Sequence, residues 1–317
     1  MEYPLFNVFI NSHFETEDLK FRCVFDSEKI HVSNNIDVLT HIVKVKNNKF
    51  LSQSIFFPDK NSNQLKDISL LLSVAQGTHI FFKNQNLGRV SNYRKKYFDL
   101  FLPSEIGDFL DWSLKKISKM KKSRLNIIKN SLLIFYEAKY LLFYDGLRDI
   151  LMMNCFEFLI GAIYRQDNAY SENNLKMQRS YKHIIEKFNY EQYINDRLKK
   201  EIRPRKLFEF KKEKNVPKIE SFIRQFEKMR NWIAHGKQHK KPKFENSPSD
   251  SEFAFLYRLE SFIRVIFIDL IYGKDYARKF DVLYQLILEM NICPTFESEF
   301  SRLKFYDSEK YTLICNK

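Results

Sequence analysis

The stretch KIESFIRQFEKMRNWIAHG, Lys218 to Gly236, follows directly on Pro217. It sets Ile219, Phe222, Ile223, Phe226, Met229 and Ile233 at the i, i+3, i+4, i+7 spacing of a helix with one face in a core. A helix over Lys218 to His235 is therefore expected, with Gly236 at its C-terminal cap. At about 100° per residue, Arg230 projects close to the centre of the apolar stripe. A guanidinium buried there without a partner is costly, so Arg230 is expected to meet a carboxylate, an interface or a ligand anion. Asn231 and His235 are four apart and share the edge beside the stripe.

One helix edge thus carries a cation, an amide and an imidazole, the groups that metal-free RNA cleavage uses. Histidine, with an unperturbed pKa of about 6.5, suits the removal of the ribose 2′-OH proton, so that the oxygen attacks the adjacent phosphate. Arginine matches, with two N–H groups at once, the charge that builds on the phosphorane oxygens. Asn231 is placed to orient the imidazole or to bond a phosphate oxygen. Structural roles stand beside these. A histidine near a helix C-terminus is a favourable dipole partner in many non-catalytic helices. Arg230 can equally be held by a core acid, and Glu157 is the candidate because it lies in the otherwise apolar run Ile150 to Tyr164. Arg and His five apart is also a common chance spacing.

Working outward, further helical patterns cover Tyr181 to Leu198, Glu252 to Tyr272, with Gly273 as its cap, and Tyr276 to Met290. Residues 239 to 251 form a polar, proline-broken loop. Upstream, Ile127 to Tyr164 is too long for one helix and breaks at Tyr144-Asp145-Gly146. Another helix begins at Ser104, with Phe109, Leu110, Trp112, Leu114 and Ile117 as its apolar positions. Before it lie short β-rich runs, Phe6 to Ile10, Phe21 to Phe25, Ile42 to Val45, Ile55 to Phe57 and Ile80 to Phe82, punctuated by Asn and Asp clusters. One helix, Leu65 to Ala75 closed by Gly77, interrupts them. The fold class is α+β: a strand-rich N-terminal domain over 1–105, then an all-α helical domain over 106–317.

The chain of 317 residues carries 53 Lys and Arg against 39 Asp and Glu, a net charge of +14, which favours a polyanionic partner. Between Asp196 and Lys243 there are 17 basic and 6 acidic residues, a net +11, so the excess gathers beside Arg230. Lys237, His239, Lys240 and Lys241 follow the motif and are candidates for contacting RNA, although a loop histidine such as His239 is ordinarily just exposed. A second cluster, Lys115, Lys116, Lys119, Lys121, Lys122 and Arg124, has the ordinary explanation of a solvated helix face.

Cys23, Cys155, Cys293 and Cys315 show no paired spacing that suggests a zinc site or a redox dithiol, and read as reduced thiols. Met-Glu-Tyr-Pro-Leu-Phe at the start lacks a basic signal-peptide region. Ile150 to Tyr164 is shorter than the roughly 20 residues of a membrane span. A cytoplasmic chain is expected, with no membrane association, no metal and no cofactor.

Arg230-Asn231-Trp232-Ile233-Ala234-His235 resembles the R-x4-6-H motif of HEPN ribonucleases, in the form where Asn follows Arg and Ala-His-Gly closes the helix. The likeness spans roughly residues 125 to 292, with the motif as its specific part. A strand-rich domain before a HEPN domain is similar to ApeA-type anti-phage defence proteins. The resemblance implies an all-α HEPN bundle and a metal-independent endoribonuclease that leaves 2′,3′-cyclic phosphate and 5′-hydroxyl ends. It also implies a homodimer, because the composite site of such enzymes forms where two motifs face each other and this chain holds one. On this footing Arg230, His235 and Asn231 are catalytic, and Glu157 resembles a supporting acid on an earlier helix. The expected activity is that of a toxin or anti-phage effector cutting tRNA or mRNA to cause abortive infection, with a phage-derived trigger or inhibitor at the N-terminal domain. The alternative is a non-catalytic RNA-binding or partner-binding module. No Walker-type glycine loop supports nucleotide hydrolysis.

Overall fold

Leu19-Lys20-Phe21-Arg22 shows how the N-terminal sheet forms: Leu19 and Phe21 are buried while Lys20 and Arg22 are exposed, the period-two pattern of a strand with one wet face. A computed structural model describes residues 2–8, 10, 12–24, 39–46, 51–58, 62–82, 105–140, 145–168, 176–187, 219–234, 252–272, 303–304 and 314–315. Strands β1 (Glu2–Phe6), β2 (Phe14–Glu15), β3 (Leu19–Cys23), β4 (Leu39–Val45) and β5 (Phe81–Phe82) make one antiparallel sheet in the order β2-β3-β4-β1-β5. With seven helices among the described residues, the fold is mixed α+β.

The expected strand Phe6 to Ile10 is displaced towards the N-terminus. Asn7 takes a left-handed φ of 65° and ends β1, and the Val8 N–H donates to the Thr40 hydroxyl at 3.1 Å instead of to a neighbouring strand. Val8 and Ile10 are still buried, so their apolar character reported burial without ladder pairing. The run Ile55 to Phe57 is not a strand either. The Asp67 carboxylate accepts from the Ser54 hydroxyl at 2.6 Å and from the N–H groups of Ile55 at 2.7 Å and Phe56 at 3.3 Å. A buried acid thereby takes the donors that a strand partner would have taken.

Helix α1 (Gln64–Gln76) starts at Asn63, whose side chain accepts from the Leu65 N–H at 3.1 Å, and stops at Gly77 with φ 64°. It is buried almost all round, and Ser69 and Ser73 are accommodated there by donating to the carbonyls of Leu65 and Ser69. Helix α2 (Ile106–Ile117) buries Ile106, Phe109, Leu110, Leu114 and Ile117. Trp112, expected among these, lies 41% exposed. Gly107 sits so close to the Glu15 carbonyl that a Cβ would come within 1.9 Å of its oxygen.

Helices α3 (Lys122–Tyr140) and α4 (Asp145–Asp167) occupy the long run; of the expected break at Tyr144-Asp145-Gly146, Asp145 and Gly146 are the first residues of α4 and Tyr144 lies outside the described residues. Helices α5 (Met177–Lys187), α6 (Ile219–Ala234) and α7 (Glu252–Tyr272) follow. The short strands β6 (Leu303–Lys304) and β7 (Ile314–Cys315) pair antiparallel, so the C-terminal half is not all-α as expected. Strands of two residues leave no alternation to read. The expected helix Tyr276 to Met290, the part of Tyr181 to Leu198 beyond Lys187, and the caps at Gly236 and Gly273 lie outside the described residues.

The chain divides into two compact units, Met1–Leu159 with Ile263–Val282, and Ile160–Phe262 with Leu283–Lys317. The change of pattern near residue 105 falls inside the first unit. There, two arginines close helix ends. Arg264 donates to the carbonyls of Val74 at 2.6 Å and Ala75 at 2.7 Å, the C-terminal oxygens of α1, and Arg124 donates to the Leu270 carbonyl near the end of α7 at 2.5 Å. Each places a cation at the negative end of a helix dipole. Among the described residues, no helix is long and apolar enough to cross a membrane.

Candidate functional site

Helix α6 is anchored by its apolar face, where Phe222, Ile223, Phe226 and Met229 are buried. Phe222 stacks on Phe255 of α7 with ring centres 5.5 Å apart and meets Phe262 edge-on at 5.8 Å. Phe226 meets Tyr181 of α5 edge-on at 5.9 Å. Such aromatic contacts contribute about 0.5–1.5 kcal/mol each beyond area burial. They set the rotation of α6 about its axis and so decide where the rest of its side chains project. On the wet side, Glu220 and Arg224 pair at 2.5 Å with i, i+4 spacing.

At the C-terminal end of α6, Arg230 is half-buried, Asn231 is exposed, and Trp232 and Ile233 are half-buried. Arg230 is therefore on the border of the apolar stripe and not in its depth. Its Nη1 donates to the Asn231 Oδ1 at 3.4 Å, a long bond that is weak by geometry but keeps cation and amide together. His235 follows the last described residue of the helix and lies outside the described residues, as do Lys237, His239, Lys240 and Lys241. Glu157 is half-buried on α4 and belongs to the first unit, whereas Arg230 belongs to the second.

Another polar cluster escaped the sequence. Asp167, at the end of α4, accepts on a single carboxylate oxygen from His183 Nε2 at 2.9 Å and from Lys187 Nζ at 3.0 Å, both on α5. Tyr164 meets the His183 ring edge-on at 5.6 Å. Burial works to raise the Asp167 pKa, but the hydrogen bonds and charges of His183 and Lys187 outweigh it and hold the carboxyl below its ordinary value. The cluster ties α4 to α5 and orients an imidazole. His183 and Lys187 share a face by their i, i+4 spacing, which was readable, but Asp167 lies 16 residues away from His183 and only tertiary structure brings it in.

Cys155 is buried, its thiol donating to the Ser131 carbonyl at 3.5 Å, and burial pushes its pKa up, which suits an inert core thiol. Among the described residues, no three His, Cys, Asp or Glu side chains gather as a metal site requires. Comparison with family models, with curated proteins and with solved structures gives no match to this chain.

Proposed function

We propose that the chain is a metal-independent endoribonuclease of the HEPN type, acting in the cytoplasm as a toxin or anti-phage effector that cuts tRNA or mRNA. The observation that carries this is the end of α6, where a half-buried Arg230 stands beside an exposed Asn231, five and four residues before His235 in the chain. Packing of Phe222 and Phe226, about two turns and one turn before Arg230, anchors the helix that carries it, which supports a preorganised site. In this proposal His235 takes the 2′-OH proton, Arg230 stabilises the phosphorane, and Asn231 orients one or the other. Lys237, His239, Lys240 and Lys241 bind the RNA backbone. Two copies bring two motifs face to face, and the strand-rich region receives a phage-derived trigger or inhibitor.

The test is cleavage of a fluorescent RNA in the presence of a chelator. Wild type should cut it and leave 2′,3′-cyclic phosphate ends, readable by mass. His235→Ala and Arg230→Ala should each lose at least about 100-fold in rate, the lower end of what a positioned proton-transfer group contributes. Both variants should keep the wild-type circular dichroism spectrum. Equal cleavage by wild type and His235→Ala would overturn the proposal, and salt-sensitive RNA binding without cleavage would mark the chain as a non-catalytic binding module.

A further inference from the structure

Helix α2 turns an aromatic ring and a row of cations to solvent. Trp112 keeps 41% of its surface exposed, although it is among the most apolar residues of a helix whose other large side chains face inward. Helical winding continues past Ile117, since the Lys119 N–H donates to the Lys116 carbonyl and that of Met120 to the Ile117 carbonyl, both at 3.2 Å. At about 100° per residue, Lys116 lies roughly 40° and Lys119 roughly 20° from the direction of Trp112. The next exposed cations, Lys121 and Lys122, come at the turn into α3. Lys115 is neutralised by Glu17, but among the described residues no acid pairs with Lys116, Lys119, Lys121 or Lys122. The exposed Asp108, one turn before Trp112, bounds the row at its N-terminal end.

We propose that this corner between α2 and α3 binds single-stranded nucleic acid, with Trp112 as a stacking platform for a base and Lys116, Lys119, Lys121 and Lys122 as partners of the phosphates. An exposed aromatic flanked by lysines is the pairing that single-strand binders use, because every base has a π-face and every nucleotide a charge. Lysines three and four apart on a helix are about 5–6 Å from one another, close to the spacing of successive phosphates. An anionic membrane suits the surface less well. Insertion needs an apolar face, and here the apolar face of α2 is turned inward, leaving Trp112 as its exposed large apolar side chain. The surface uses no residue of the Arg230 site and acts whether or not the chain cleaves RNA.

The chain has two tryptophans, so the Trp232→Phe protein reports on Trp112 alone. A thymidine oligonucleotide of about 12 nucleotides, within the site size of single-strand binders, is the probe; it lacks the 2′-OH and so stands apart from the cleavage proposal. Titration should quench the Trp112 emission, while the same length of duplex should leave it unchanged. Trp112→Ala, read by fluorescence anisotropy of a labelled probe, should weaken binding about 5-fold or more, and Trp112→Phe should restore most of the loss. Lys116→Gln with Lys119→Gln should lower the slope of log affinity against log salt by about 1.4, or about 0.7 for each phosphate that no longer meets a cation. The substituted positions are exposed, so these variants should unfold as wild type does. Unquenched Trp112 emission, or unchanged affinity and salt slope in the variants, would overturn the proposal. So would variant-sensitive binding to phosphatidylserine vesicles without oligonucleotide binding, which would make the surface a membrane-binding one.

Discussion

His79 is enclosed by Tyr136, Tyr140 and Phe81, with ring centres 4.2, 5.3 and 5.5 Å away, and its Nδ1 is buried without a hydrogen-bond partner. Burial, helped by the nearby charge of Lys139, lowers its pKa to about 3. His41, on strand β4, is buried beside Phe14, and burial lowers its pKa to about 4 even though the Ser12 carbonyl favours the charged form. Both imidazoles stay neutral in the fold but take up protons in the unfolded chain near the ordinary value of about 6.5. Their contribution to stability is present above that value and is lost as pH falls towards the folded pKa values. Urea unfolding should therefore show stability falling between about pH 6.5 and 4, by up to about 1.4 kcal/mol per pH unit for each histidine. His79→Phe should reduce the slope. A flat profile over that range in the wild type would contradict the burial of these rings. Asp67 works in the opposite sense: burial raises its carboxyl pKa, and its three donors only partly offset that.

At the scale of elements, close approach decides more than propensity does. Gly107 in α2 is replaceable by alanine as far as helix propensity goes, with a gain of about 1 kcal/mol. The Glu15 carbonyl of β2 stands where that methyl would be, and backbone cannot rotate away as a side chain can. Gly107→Ala should therefore destabilise the protein by about 1–3 kcal/mol net, as overpacked sites do, seen as a lower urea midpoint with the same m-value. An unchanged or higher midpoint would mean that α2 and β2 are not held this closely. The ends of α1 show the same division of labour. Asn63 and Gly77 are local signals, and Gly77 is legible as a cap from the sequence alone. The oxygens of Val74 and Ala75 are met by Arg264, 189 or more residues away, and nothing local announces that partner.

For the whole molecule the governing quantity is charge. The net +14 includes +11 carried between Asp196 and Lys243, where 17 basic residues face 6 acidic ones. A chain that neutralises six to ten phosphates should lose about 10³–10⁵-fold in affinity for RNA between about 50 and 200 mM salt, and anisotropy at a series of salt concentrations measures this directly. A shallow salt dependence would remove the charge excess from any role in RNA binding. Sedimentation of the active protein should show a dimer, and full cleavage by a monomer would exclude a site shared between two motifs.

Local pattern was enough for the class of fold and for the chain order of most elements, because helix periodicity, caps and strand alternation are carried by near neighbours. It located α1 with its closing Gly77, the start of α2, and α6 and α7 within a residue or two. It also marked out Arg230 and Asn231 at the apolar stripe of an amphipathic helix. Where a long-range partner replaced a local one, the pattern misled: Asp67 took the donors of Ile55 and Phe56, and Asn7 ended β1 early. Tertiary structure alone decided that Trp112 faces solvent, that Arg230 stands at the border of the stripe, and that Asp167 meets His183 and Lys187. Periodicity says which residues share a face, but what that face meets depends on packing between segments far apart in the chain.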